Sequence, residues 1–153
     1  MDLRAKLQSQ GLDLPDAPKP VAAYVPAVRT GDLVFVSGQL PFENGELIAT
    51  GPVPSATSIQ DAERAAQLCA LNALAVVDDQ IDGDWSRFVR IVRVGVFVAS
   101  DNDFTQQPQV ANGASEFLGE LFGEAGRHAR AAVGVNVLPL GATVELEMIV
   151  EVK

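Results

Sequence analysis

Arg130-Ala-Ala-Val-Gly-Val-Asn-Val-Leu-Pro-Leu-Gly-Ala-Thr-Val-Glu-Leu-Glu-Met-Ile-Val-Glu-Val152 is the stretch that decides the fold. Val133, Val135 and Val137 alternate with small or polar residues. Pro139 and Gly141 punctuate the middle, and Val144, Leu146, Ile149 and Val152 resume the apolar pattern with Glu145, Glu147 and Glu151 between them. This reads as two strands joined at a turn. Arg130 stands at the entrance to the first strand and Glu145 lies in the second. Pairing as a hairpin would bring the two near one end of a sheet, and Glu147 would share the Glu145 face.

Upstream, Phe88 to Val98 is the longest apolar run, a strand expected to be central or covered on both faces. Ser58 reads as a helix N-cap with Asp61 in the first turn. The helix is expected over 59–77, with Ala62, Ala65, Ala66, Cys69, Ala70, Ala73 and Leu74 on a small-residue face. A second helix is expected over 107–122. Leu33-Val-Phe-Val36 reads as a buried strand, Asn44-Gly45 as a hairpin turn, and 21–29 as a first strand that Pro26 confines to an edge. Residues 1–20 form a Pro-rich arm before a single domain over 21–153.

The element order predicts an α+β fold, one mixed sheet with two helices on one face. Phe35, Phe97 and Val135 cannot all lie under those helices, so the open face calls for a partner, a second copy of the chain.

The chain has 153 residues, which fits one domain. Its net charge of −9, from 11 Lys+Arg against 20 Asp+Glu, opposes contact with phosphate backbones, and no basic run reverses this locally. One cysteine, Cys69, permits no intrachain disulfide and reads as a buried thiol. With one histidine besides, no Cys/His zinc cluster is available. No apolar run reaches membrane-spanning length, and the start lacks a signal-peptide pattern. A cytoplasmic location is expected, with no nucleic-acid or membrane partner and no metal. No nucleophile elbow, phosphate loop or dinucleotide fingerprint is present.

The segment His128-Ala-Arg-Ala-Ala-Val-Gly-Val-Asn-Val-Leu-Pro-Leu-Gly-Ala-Thr-Val-Glu-Leu-Glu147 resembles the C-terminal signature of the RidA/YjgF family of enamine/imine deaminases. Gly31-Asp-Leu-Val-Phe-Val-Ser-Gly-Gln-Leu-Pro41 is similar to that family's second strand and the turn after it, and Tyr24-Val-Pro-Ala-Val28 to its first strand. The chain is similar to the longer bacterial branch labelled endoribonuclease L-PSP-like. Two positions depart from the pattern: His128 stands where the family has Pro, and Ala131 where it often has Ser.

The resemblance implies a chorismate-mutase-like fold and a homotrimer with sites between subunits. It implies a cofactor-free hydrolase that converts 2-imino or 2-aminoacrylate intermediates to 2-oxo acids and ammonia. Two other readings stay open: a trimer that binds a small carboxylate without turnover, and a ribonuclease or translation inhibitor.

Arg130 is the first candidate, because its planar fork suits a carboxylate bound through two parallel charge-assisted bonds. Its structural alternative is an ion pair with Glu145 or Glu147. Glu145 is the candidate for water positioning and proton transfer, and the resemblance selects it over Glu147. Tyr24 either walls the pocket or is a core residue. Ser37 and Gly38 follow a buried strand, where backbone N–H groups become free to meet an anion. By position in the family, the Gly38 and Ala132 N–H groups hold the carboxylate. Asn112 is a further substrate-binding candidate, or a cap for the second helix. His128 lacks a catalytic context and reads as a surface or interface residue.

The charge yields the first prediction. A nuclease-free preparation is expected to leave RNA intact on gel analysis; cleavage that vanishes in Arg130→Lys contradicts this.

Overall fold

The computed structural model describes residues 2–18 and 23–153. Helix α1 (Leu3–Ser9) is followed by β1 (Ala27–Thr30), β2 (Leu33–Gln39), β3 (Phe42–Glu43) and β4 (Glu46–Leu47). Then come α2 (Ile59–Gln80), β5 (Phe88–Ala99), α3 (Gln107–Phe122), β6 (Ala129–Val135) and β7 (Val144–Val152). Five strands form one sheet in the order β1-β2-β7-β5-β6. The β5–β6 pair is parallel and the others antiparallel, so the sheet is mixed as expected.

Helix α2 starts where its cap chemistry places it. The Ser58 hydroxyl accepts from the Asp61 N–H at 3.1 Å. Its small-residue face is fully buried from Ala62 to Leu74, which lets the helix lie close over β2 and β7. Helix α3 covers β5 and β6 and crosses α2 at Gly113, where an added Cβ would fall on the Glu63 carbonyl. Both helices lie on one face. Along β7 the burial alternates strictly: Val144, Leu146, Met148, Val150 and Val152 point to the helices, and Glu145, Glu147, Ile149 and Glu151 point away.

Among the described residues nothing covers the opposite face, which carries exposed apolar side chains. Val28, Phe35 and Val133 are 56%, 42% and 45% exposed on it. No helix among the described residues is long and apolar enough to cross a membrane.

Two expectations are corrected. The final two strands do not form a hairpin, because β5 lies between β6 and β7. Their connection over residues 136–143 is too long for a tight turn. It carries a 3-10 turn at Pro139–Gly141, with Leu140 at φ 58°. It passes the end of β5, where the Ser100 N–H donates to Val135 O and the Ala99 N–H to Thr143 O, both at 2.9 Å. The inserted strand thereby pairs along both edges, whereas a hairpin would leave its N–H and C=O groups on one side unpaired. Val137 falls outside β6.

The first strand is also shorter than expected. It starts at Ala27, since Pro26 has no N–H to donate, and Tyr24 and Val25 precede it. Val21 and Ala22 lie outside the described residues, as do Lys19 and Pro20 of the arm. The expected Asn44-Gly45 hairpin is present as a separate two-stranded unit, β3–β4, with Asn44 at φ 52° and Gly45 at φ 83°, the positive pair that an Asn-Gly turn supplies. Asn72 of α2 ties it to the body through bonds to Leu40 O and Phe42 O at 3.0 and 3.1 Å.

Helix α1 packs Leu3 and Leu7 into the same core. Arg4 pairs with Asp78 at 2.8 Å, and Asp78 also accepts from the Trp85 indole at 2.6 Å.

Because Gly113 meets backbone rather than a movable side chain, Gly113→Ala must push the two helices apart. A loss of about 1–3 kcal/mol in unfolding free energy is expected from urea titration. An unchanged midpoint would show that the crossing tolerates a methyl group.

Candidate functional site

The register about β5 locates the candidates. Arg130 lies beside Val94, whose side chain is buried under the helices. Glu145 lies opposite Phe97, on the open face. The two residues expected to meet therefore sit on opposite faces of one sheet. The open face holds Glu145, Glu147 and Arg93, and the helix side of the β6 edge holds Arg130 with Asn112, Ser115 and His128.

On the open face, glycines make room for two carboxylates. A Cβ on Gly38 would fall on the Glu145 carboxylate, and one on Gly95 would come within 2.8 Å of Glu147 Oε1. Each carboxylate thus lies against bare backbone of a neighbouring strand. Their charges are treated differently. Arg93 Nη1 lies 3.5 Å from Glu147 Oε1. Among the described residues Glu145 has no cationic partner. Burial pushes the Glu145 carboxyl above its ordinary value, and the Glu147 charge pushes the same way. Beside the pair lies a concavity of about 360 Å³, lined by Val28, Phe35, Ser37, Arg93, Gly95 and Glu147 among others.

On the helix side, Arg130 is not paired with either glutamate. Its Nη1 donates to Asn112 Oδ1 at 2.8 Å and to Ser115 Oγ at 3.1 Å. These are the bonds its guanidinium makes among the described residues, so Nε and Nη2 keep donors for a ligand. Asn112 is not a cap. The capping position is Gln106, and Asn112 sits inside α3, facing the Arg130 strand. Ser115, three residues on, shares that helix face. His128 bridges onward, with Nε2 3.0 Å from Ser115 Oγ and Nδ1 2.6 Å from Gly126 O. Burial lowers the His128 pKa from its ordinary value; the bond to Gly126 opposes this and the Arg130 charge reinforces it. A hollow of about 340 Å³ borders Ser115, His128 and Arg130.

The remaining candidates are scattered. Ala132 is on the Arg130 side of β6, beside Val96. Tyr24 is 56% exposed, outside the strand expected to hold it. The Ser37 N–H is not free for an anion: it donates to Pro26 O at 2.8 Å, and the Ser37 hydroxyl donates to Val25 O at 2.7 Å. Ser37 therefore ties down the segment carrying Tyr24. Cys69 is buried, and burial, then the Glu145 charge, raises its pKa, as befits an inert thiol. Ser115 escaped the sequence reading altogether. Its one signal was the spacing of three from Asn112, which means nothing until α3 is known to face β6.

The family model described as endoribonuclease L-PSP matches residues 14–152. Protein TCP17 of Trypanosoma cruzi is 43% identical over 148 residues, which cover 96% of this chain and 92% of that one. The 2-iminobutanoate/2-iminopropanoate deaminase of Dermatophagoides farinae is 31% identical over 144 residues, covering 93% and 95%. The crystal structure of the protein Atu1372 from Agrobacterium tumefaciens matches with a TM-score of 0.93 at 44% identity, over 99% of this chain and 92% of that one.

Because the folded-state pKa of Glu145 is raised, the folded form binds this proton more readily than the unfolded chain. The stabilisation is present below the unfolded value and is lost as pH rises through the folded one. Glu145→Gln, which cannot ionise, is expected to unfold later than wild type in urea at neutral pH. The difference should close as pH falls below the carboxylate range; a gap independent of pH would show that ionisation is not its cause.

Proposed function

The chain belongs to the endoribonuclease L-PSP family, and from that premise we propose that it is a homotrimeric imine deaminase, hydrolysing 2-imino acids to 2-oxo acids and ammonia. The observation that carries this reading is the division of the chemistry between two faces. Among the described residues, Arg130 offers an unfilled fork at the β6 edge, and Glu145 presents a carboxyl of raised pKa with no cationic partner on the open face. One copy of the chain cannot join them. A neighbouring copy seated on the apolar open face brings its β6 edge to this chain's Glu145, and the substrate lies between.

In that cleft the substrate carboxylate takes the bidentate place on Arg130, helped by the Ala132 and Gly38 backbone, while Tyr24 walls the pocket. Asn112 serves by holding Arg130. The Glu145 carboxylate takes a proton from water as the water oxygen bonds to C2 of the imine and the C=N pair moves to nitrogen. It returns that proton to the nitrogen, giving a carbinolamine, and then carries the hydroxyl proton to the same nitrogen as the C=O bond forms and the C–N bond breaks, leaving a 2-oxo acid and ammonia. A carboxyl tuned upward by burial suits both halves of this cycle, since it takes and releases the proton nearer neutral pH. That feature also favours turnover over simple carboxylate binding. Ribonuclease activity fits less well, because a chain of charge −9 repels the substrate's phosphates.

A pyridoxal-phosphate-dependent serine dehydratase releases 2-aminoacrylate, and adding this protein is expected to speed loss of the imine and appearance of pyruvate. Light scattering is expected to give about three times the 16.2 kDa chain mass. Lys offers a point charge rather than a fork, so Arg130→Lys is expected to lose about 2–5 kcal/mol of transition-state stabilisation, roughly 30- to several-thousand-fold in rate, with the trimer intact. Glu145→Gln is expected to keep pyruvate binding and lose turnover. Near-wild-type hydrolysis by Arg130→Lys, or a stable monomer at micromolar concentration, sinks the reading.

A further inference from the structure

Four groups link into one chain beside the proposed carboxylate anchor. Gly126 O meets His128 Nδ1 at 2.6 Å, His128 Nε2 meets Ser115 Oγ at 3.0 Å, and Ser115 Oγ meets Arg130 Nη1 at 3.1 Å. Donor logic orients every link. A carbonyl only accepts, so Nδ1 carries the hydrogen it gives to Gly126. In a neutral ring Nε2 is then an acceptor, and the Ser115 hydroxyl donates to it. The Ser115 oxygen is left with its lone pairs for the Arg130 N–H. No member competes with another.

The chain is fixed at its far end. Gly126 is buried, and a Cβ there would fall on the Leu118 carbonyl, so the turn before β6 is seated directly on α3. Ser115 and Asn112 belong to the same helix.

We infer that Ser115 and His128 are positioning residues, a relay from the Gly126 carbonyl that holds the Arg130 guanidinium by one nitrogen and turns the rest of its fork toward an incoming carboxylate. The inference deepens the deaminase reading and rests on it for the identity of the ligand; the relay itself rests on the bond geometry. Asn112 alone leaves the guanidinium free to swing about a single bond. A second acceptor on the same nitrogen fixes its plane, and a bidentate partner requires that plane to be set.

The relay is sensitive to the charge of His128. A proton on Nε2 turns it into a donor, forces the Ser115 hydrogen away, and sets a second positive charge beside Arg130. The other charges nearby are Arg127, which pairs with Glu124 at 3.1 Å, and Arg90, which donates to the Arg127 carbonyl at 3.1 Å. Glu116 and Glu120 line the adjoining hollow with Arg127. Of these charges, Arg130 is the one that acts on the His128 ring.

The test uses the full chain labelled with nitrogen-15, with Arg130 assigned from the spectrum of Arg130→Lys. Wild type is expected to show slowed guanidinium rotation, with separate Nη1 and Nη2 signals. Ser115→Ala and His128→Leu are expected to merge them. His128→Gln, whose amide oxygen accepts from Ser115, is expected to keep them apart. Lowering the pH is expected to shift the Arg130 signal with the same midpoint as the His128 ring. In parallel, pyruvate is expected to bind Ser115→Ala roughly 10- to 100-fold more weakly than wild type at unchanged thermal stability. Arg130 signals indifferent to Ser115→Ala, or titrating apart from His128, overturn the relay. Failure of pyruvate to bind wild type overturns the deaminase reading, and the spectra still decide the relay.

Discussion

The two-residue period of a β-strand governs where this protein's reactive groups point. Arg130 and Glu145 are both tied to β5, one beside Val94 and the other opposite Phe97, three residues further along. An odd offset on a strand places neighbours on opposite faces. The guanidinium therefore falls on the side covered by α3, and the carboxyl on the bare side. Neither can cross a packed sheet, so within one copy of the chain the two groups do not meet. The same geometry leaves Val28, Phe35 and Val133 uncovered, an apolar face of the kind that drives association.

On the bare side the electrostatics follow from size. Gly38 and Gly95 are the absences that let Glu145 and Glu147 lie down against neighbouring strands. Lying down half-buries the carboxylates, and burial disfavours charge. Arg93 pairs with Glu147 at 3.5 Å. Glu145 has no such partner among the described residues, and the charge of Glu147 works against it. The proton affinity of Glu145 is thus raised by its surroundings alone, burial first and the Glu147 charge second.

On the covered side α3 acts as a common template. It receives Glu63 of α2 at Gly113, the 3-10 turn before β6 at Gly126, and Arg130 through Asn112 and Ser115. Missing side chains permit the first two contacts, and hydrogen bonds of fixed direction make the third. The Arg130 fork is consequently oriented by elements that also hold the core together.

Much of the fold was legible in the residues. The Ser58 cap, the alanine face of α2 and the Asn44-Gly45 turn are local patterns with local causes, and each appears where it was read. In β7 the apolar set was read one residue off at Ile149, which shares the Glu145 and Glu147 face while Met148 and Val150 point to the helices. A family signature in the C-terminal stretch pointed to the same α+β architecture. The errors were non-local. Nothing between Val135 and Val144 announces that β5 lies between the strands they bound, because that depends on where a distant segment finds unpaired backbone. Arg130 was singled out for its chemistry, but the partners its structural alternative gave it were wrong, since hairpin pairing put it with glutamates and the real register put it with Asn112 and Ser115. By itself, the order of residues determined the period, caps and turns of each element, which are set by neighbours a few positions away. Only the tertiary structure decided which faces meet, and so which groups share charge and hydrogen bonds, because strand order and register are settled by backbone pairing across the whole chain.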